Sequence, residues 1–182
     1  MMTEKEKMIQ GMLYDAGDPE LQRDTTRARE IVIAAAQIAD NHKRSDLYKQ
    51  IINAKGYASF GVGLKLDYGY NVTVGDNFYC NYDCVMLDVC PITFGDNCML
   101  GPAVQIYTAT HPLDATERNS GLELGKPITI GDNVWIGGAA VIYPGVTLGD
   151  NVVVAGGSVV TKSFPNNVLI GGNPAKVLKE GI

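Results

Sequence analysis

The chain has 182 residues, 46% apolar and 19% charged, with a net charge of -5. It is long enough to bury the core of one domain with an appendage, and too apolar for a disordered chain, which needs low hydrophobicity with high net charge. The acidic balance argues against a nucleic-acid partner, which needs a basic face, and no apolar run approaches the ~20 residues of a membrane span.

The chain opens with Met1-Met2-Thr3-Glu4-Lys5-Glu6-Lys7, which carries acids in place of the apolar stretch of a secretory signal, so a cytoplasmic protein is expected. Residues 1–55 read as a helical segment. Thr3 to Glu6 has the spacing of a capping box, and Asp18-Pro19 offers an N-cap followed by proline at the first helical position. The run Ala28–Ala39 is apolar on one face, and Ser45-Asp46 is expected to open a third helix carrying Leu47, Ile51 and Ile52. His42 lies among charges and reads as solvated. The segment's expected role is to cover the open end of a repeat domain that begins near residue 56.

Only Gly11 and Gly17 precede residue 56, whereas nineteen glycines stand from residue 56 onward. Such a chain does not build a helical bundle, because glycine weakens helix interiors. From there the sequence reads in sixes. Ile130, Ile136, Ile142, Leu148, Val154 and Val160 stand six apart, and Val74, Cys80 and Met86, then Phe94, Leu100 and Ile106, form an earlier series with one offset. Gly75-Asp76-Asn77 recurs at 95–97, 131–133 and 149–151 as one repeated turn. A period of six fits one short strand plus one turn with one aliphatic residue pointing inward. Three such units close a triangular coil, and stacked coils bury a continuous column; about five coils are expected over 56–172.

Residues 107–127 interrupt the register as a loop that holds His111, Asp114, Glu117, Arg118 and Glu123. Insertions in repeat proteins sit on one face and often bear function. A neutral imidazole takes a proton from a hydroxyl at cellular pH, which makes His111 the candidate general base. Cys80, Cys84, Cys90 and Cys98 contain no C-x-x-C pair; they read as buried residues, and no metal is expected. Charge is uneven: residues 56–153 carry three basic and ten acidic side chains, whereas residues 154–182 carry Lys162, Lys176 and Lys179 against Glu180. A small basic patch on an acidic body suits a phosphorylated small molecule.

Together, the hexapeptide series, Thr108-Ala109-Thr110-His111-Pro112-Leu113-Asp114, the stretch from Ile130 to Gly138 and Gly172-Asn173-Pro174-Ala175-Lys176 resemble the maltose and galactoside O-acetyltransferases. The similarity covers nearly the whole chain. It implies a mainly β fold, a left-handed parallel β-helix with an N-terminal helical segment, assembled as a homotrimer with active sites between neighbouring subunits. It divides the chain into a cap and acceptor-binding segment (1–55), the β-helix (56–172) and a C-terminal tail (173–182).

The resemblance also implies acetyl-CoA as co-substrate and direct transfer of acetyl to a sugar hydroxyl. His111 is then the base, and the Gly138 N–H and the Asn81 side chain are the oxyanion donors. Asn81, Gly138, Gly156, Thr161, Lys162, Lys176 and Lys179 fall at CoA-binding positions. Glu123 is the first candidate to orient His111, and Asp15, Asp67 and Asp88 are candidates for acceptor hydroxyls. Relatives on the galactoside side carry two consecutive acids where this chain has Asp88-Val89. A hexapeptide-repeat carbonic anhydrase needs several zinc-binding histidines, and this chain has two histidines. Another acceptor (a galactoside, an amino-sugar, serine or an antibiotic) and a non-enzymatic solenoid remain as alternatives.

Overall fold

A computed structural model describes residues 2–182. Helix α1, Glu4–Ile9, starts at the expected capping box: the Thr3 hydroxyl accepts the Glu6 N–H, and the Glu6 carboxylate accepts the Thr3 N–H. Helix α2, Pro19–Ala36, has Asp18 as N-cap and Pro19 in its first turn. Helix α3, Asn41–Tyr48, begins earlier than expected. Its cap is Asp40, whose carboxylate accepts the Lys43 N–H, whereas Ser45 is buried and accepts the Phe60 N–H.

The helices seat on the first coil through a buried cation and an aromatic stack. Arg44 donates to Phe60 O at 2.9 Å and to Ile38 O at 2.8 Å, the latter just beyond α2, where a cation meets the negative end of the helix dipole. The rings of Tyr48, Phe60, Phe78 and Phe94 succeed one another at 5.6, 5.8 and 4.9 Å. No described helix is long and apolar enough to cross a membrane.

From residue 53 the chain winds through three parallel sheets that form a triangular prism. Sheet I holds Asn53–Ala54, Val72–Val74, Ile92–Phe94, Ile128–Ile130 and Thr147–Leu148. Sheet II holds Ala58–Phe60, Phe78–Cys80, Met99–Leu100, Trp135–Ile136, Val153–Val154 and Val168–Gly172. Sheet III holds Lys65–Leu66, Val85–Leu87, Gln105–Tyr107, Val141–Ile142 and Val159–Val160. The register carries the sixfold series inward. Phe60, Cys80, Leu100, Ile136, Val154 and Ile170 stack on sheet II, and Leu66, Met86, Ile106, Ile142 and Val160 on sheet III. All are buried, and each of them other than Cys80 contributes about 1.5–3 kcal/mol of apolar transfer.

The Gly-Asp-Asn turns all fall on the edge between sheets I and II. Asn77, Asn97, Asn133 and Asn151 take φ of 55, 58, 56 and 56°, a left-handed conformation that asparagine tolerates. Each turn holds the next: Asp76 N donates to the Asp96 carboxylate, Asp96 N to Asp132 and Asp132 N to Asp150, at 2.8–2.9 Å. The asparagine amides form a parallel ladder from Asn77 to Asn167.

Two segments depart from expectation. The expected C-terminal tail folds back as strand Ala175–Glu180, antiparallel to Val168–Gly172. The loop after Gln105–Tyr107 is built: Ala109–Thr110 and Leu122–Gly125 pair antiparallel, and Tyr14–Asp15 adds a third strand. The catalytic-loop candidate is thereby bound to the N-terminal segment.

Candidate active site

The loop strands and α2 enclose a cleft of about 320 Å³, at the lower end for small-molecule sites. Tyr14, Gln22, Thr25, Arg29, Asp67, Tyr68, His111 and Glu123 supply its polar groups, with Leu87 and Val89 among its apolar ones. It lies on the edge between sheets III and I, where the chain turns after Leu66, Leu87 and Tyr107. His111 is exposed there and makes no hydrogen bond among the described residues. Glu123 shares the cleft with it, and its carboxylate accepts the Tyr14 hydroxyl at 2.9 Å. Burial and the Glu123 charge raise Tyr14, so this phenol stays a proton donor.

Of the three acids expected to grip an acceptor, only Asp67 lines the cleft. Asp88 is corrected to a structural role. It is fully buried, and its carboxylate accepts the backbone N–H groups of Asp67, Tyr68 and Gly69 at 3.0, 3.0 and 2.7 Å. Asn71 completes the brace by donating to Asp88 O at 2.7 Å. Asp15 is likewise displaced: Tyr14 is buried and Asp15 exposed on their short strand, and the Asp15 carboxylate accepts the Gly17 N–H at 2.8 Å. Its neighbour Tyr14 reaches the cleft instead.

Burial pushes the Asp88 carboxyl up to about 7, against the three N–H groups, which favour its ionised form. The folded chain then holds a proton that the unfolded carboxyl, near 3.9, has released. This contribution is full below about pH 3.9 and is lost as pH rises through about 7. Denaturant unfolding of the wild type and Asp88→Asn at pH 5 and pH 8 checks it: the wild type's stability relative to the variant is expected to decline from pH 5 to pH 8.

Asn81, Gly138 and Gly156 lie on the other edge of sheet III, where sheet II ends. Coils approach closely there: a Cβ on Gly101 would stand 2.5 Å from Gly138 N, and one on Gly137 2.5 Å from Gly156 N. The N–H groups of Gly138 and Gly156 make no hydrogen bond among the described residues. Asn81 Oδ1 accepts the Tyr82 N–H at 2.8 Å, which leaves Nδ2 free to donate. The edge therefore presents several unpaired donors in line.

The terminal lysines, which charge counting joined in one patch, divide between these edges. Lys162 comes just after Val159–Val160 on the His111 edge, its Nζ 5.5 Å from the Phe164 ring centroid. Lys176 pairs opposite Gly171, near the Gly156 edge, and Lys179 opposite Leu169 at the far end of that strand. Thr161 stands beside Lys162 and is exposed.

Sequence reasoning placed an acceptor-binding role at the Tyr14-Asp15 position but chose Asp15, and it missed Gln22, Arg29 and a stripe outside sheet II. Tyr79, Met99 and Trp135 pair in register and are 41%, 48% and 52% exposed, whereas the matching column of sheet I is Thr73, Thr93, Thr129 and Thr147. The signal was present as the residue before each inward aliphatic position.

A triangular solenoid of six-residue repeats, with a looped-out histidine on one edge and unpaired donors on the next, defines a hexapeptide-repeat acyltransferase. Residues 7–56 match the maltose acetyltransferase hexapeptide capping motif, and residues 127–162 the hexapeptide repeat of succinyl-transferase. A Dictyostelium discoideum protein provisionally named an acetyltransferase is 58% identical over 180 residues, covering 98% of this chain and 95% of its own. The solved structure of a maltose O-acetyltransferase from Clostridium difficile 630 is 49% identical, with a TM-score of 0.96 over 98% of this chain and 97% of that one. A hexapeptide-repeat acetyltransferase of Vibrio cholerae, solved with acetyl-CoA, is 36% identical with a TM-score of 0.91 and covers 100% of both chains. This chain belongs to the maltose/galactoside O-acetyltransferase family of hexapeptide-repeat acetyltransferases.

Proposed function

We propose that the protein moves acetyl from acetyl-CoA to a hydroxyl of a maltose- or glucose-type sugar, as a homotrimer whose sites are each shared by two chains. The observation that carries this reading is the separation of complementary half-sites on two edges of one prism. The base and the acceptor cleft lie on one edge; the unpaired donors for an acyl oxygen lie on the other. A neighbour packed against sheets II and III brings the two kinds of edge together. The outward columns support such packing, since Tyr79, Met99 and Trp135 on sheet II and Val85, Val141 and Val159 on sheet III leave apolar surface outside.

In this reading His111 takes the proton of the acceptor hydroxyl, and the oxygen attacks the thioester carbonyl. Asn81 Nδ2 and the Gly138 N–H hold the developing oxyanion, and Glu123 stabilises the imidazolium. As the tetrahedral carbon collapses, the imidazolium gives its proton to the departing thiolate. The Gly156 N–H suits a pantetheine amide, and Thr161, Lys162, Lys176 and Lys179 suit the phosphates at the nucleotide end. Direct transfer is favoured over a cysteine intermediate because all four thiols are buried, and burial pushes Cys90 and Cys98 up to about 11.

CoA release, read at the thioester absorbance with maltose, glucose, a galactoside or serine, tests the reading. Release that depends on glucose or maltose is expected. Release with serine alone moves the acceptor class, and failure to bind acetyl-CoA overturns the reading.

A further inference from the structure

Arg29 has no part in the proton and acetyl transfers, yet it reaches the acceptor cleft. Gln22, Thr25 and Arg29 lie three and four residues apart on α2, so they share one face of the helix, and all three line the cleft. Asp67 lines it from the turn after Leu66. The two charges have opposite sign and share a site, yet no Arg29 nitrogen comes within 4.0 Å of a carboxylate; the four ion pairs among the described residues all lie elsewhere. Nor does either side chain hydrogen bond to another group among the described residues, although their cleft neighbour Glu123 is engaged by Tyr14. Both supports are fixed. The turn of Asp67 is held by the buried Asp88 carboxylate, and α2 is anchored by the buried Leu21, Ala28 and Ala35.

We propose that Arg29 and Asp67 form a two-sided clamp that grips a pair of neighbouring hydroxyls on an uncharged sugar. One hydroxyl donates to the Asp67 carboxylate while the oxygen of the next accepts from the Arg29 guanidinium. This rests on the sugar-acetylating reading and makes Arg29 a specificity-determining residue of that site. Burial raises the Asp67 carboxyl, Arg29 opposes that rise, and Glu123 adds to it. The cleft therefore already holds anions and a cation against one another. A phosphorylated or carboxylated sugar meets the acids Asp67 and Glu123, and an ammonium-bearing sugar meets Arg29. A neutral diol satisfies both ends without adding charge to a partly buried site.

The test is steady-state kinetics of the full chain with glucose, glucosamine and glucose 6-phosphate, in the wild type and in Arg29→Met and Arg29→Lys. The wild type is expected to prefer glucose. Arg29→Met is expected to raise the glucose KM at least ~10-fold with kcat and the acetyl-CoA KM nearly unchanged, and Arg29→Lys to recover part of the loss. An unchanged glucose KM in Arg29→Met, or a wild-type preference for either charged sugar, overturns the clamp while leaving sugar acetylation standing. An enzyme that binds acetyl-CoA but acetylates no sugar overturns the clamp and the reading beneath it together.

Discussion

His111→Ala is expected to lose at least ~10²-fold in kcat with acetyl-CoA affinity retained, measured by steady-state CoA release and by equilibrium binding. The expectation comes from where the residue sits. The loop that carries it is the one long departure from the sixfold register, and its strands are tied to Tyr14–Asp15 rather than left in solvent. Its imidazole has no partner of its own, so nothing in the chain competes with a substrate hydroxyl for it. No cysteine thiol, buried as all four are, offers a substitute nucleophile. Near-normal turnover in the variant removes His111 from the chemistry. A parallel loss of acetyl-CoA affinity makes it a binding residue instead.

Asn81→Ala is expected to lose on the order of 10²-fold or more in kcat, with KM for both substrates little changed, because an oxyanion donor acts on charge that exists only in the transition state. The Tyr82 N–H holds Asn81 Oδ1 and so turns the amide to present its Nδ2. A backbone donor, the Gly138 N–H, stands free on the same edge and accounts for activity that survives. The substitution is mild for the fold, since Asn81 is only partly buried and its backbone N–H is already taken by Leu100 O. A variant that raises the acetyl-CoA KM and leaves kcat alone makes Asn81 a contact to the donor rather than to the oxyanion.

Much of the scaffold was legible because each sixfold position answers to a single local demand. Ile130 through Val160 point inward wherever the strand falls, and Asn77 and its three counterparts occupy a turn whose backbone angle asparagine tolerates. Thr3 and Asp18 cap their helices through contacts with residues two or three places away. The misreadings have other causes, and the first is which residues a coil brings together across one turn of the solenoid. Asp88 reads as a free acid until Asp67, Tyr68 and Gly69, about twenty residues earlier, are seen to lie above it. Asp15 and Tyr14 exchange roles because a two-residue strand carries no alternation long enough to read. Lys162, Lys176 and Lys179 form one cluster in sequence and separate in space because the last coil folds back after Gly172. Arg29 was hidden among the charges of a helix whose inner face only the turn at Tyr68 defines.

The most direct test of a site shared by two chains mixes the two inactive variants. In the proposed homotrimer, equal amounts of His111→Ala and Asn81→Ala chains assemble with interfaces where an intact His111 edge faces an intact Asn81 edge. Random assembly gives one such site in each mixed trimer, so activity is expected to recover to about one quarter of the wild-type level. Activity no greater than the sum of the two variants alone contradicts the shared site and places both residues on one chain's own surface.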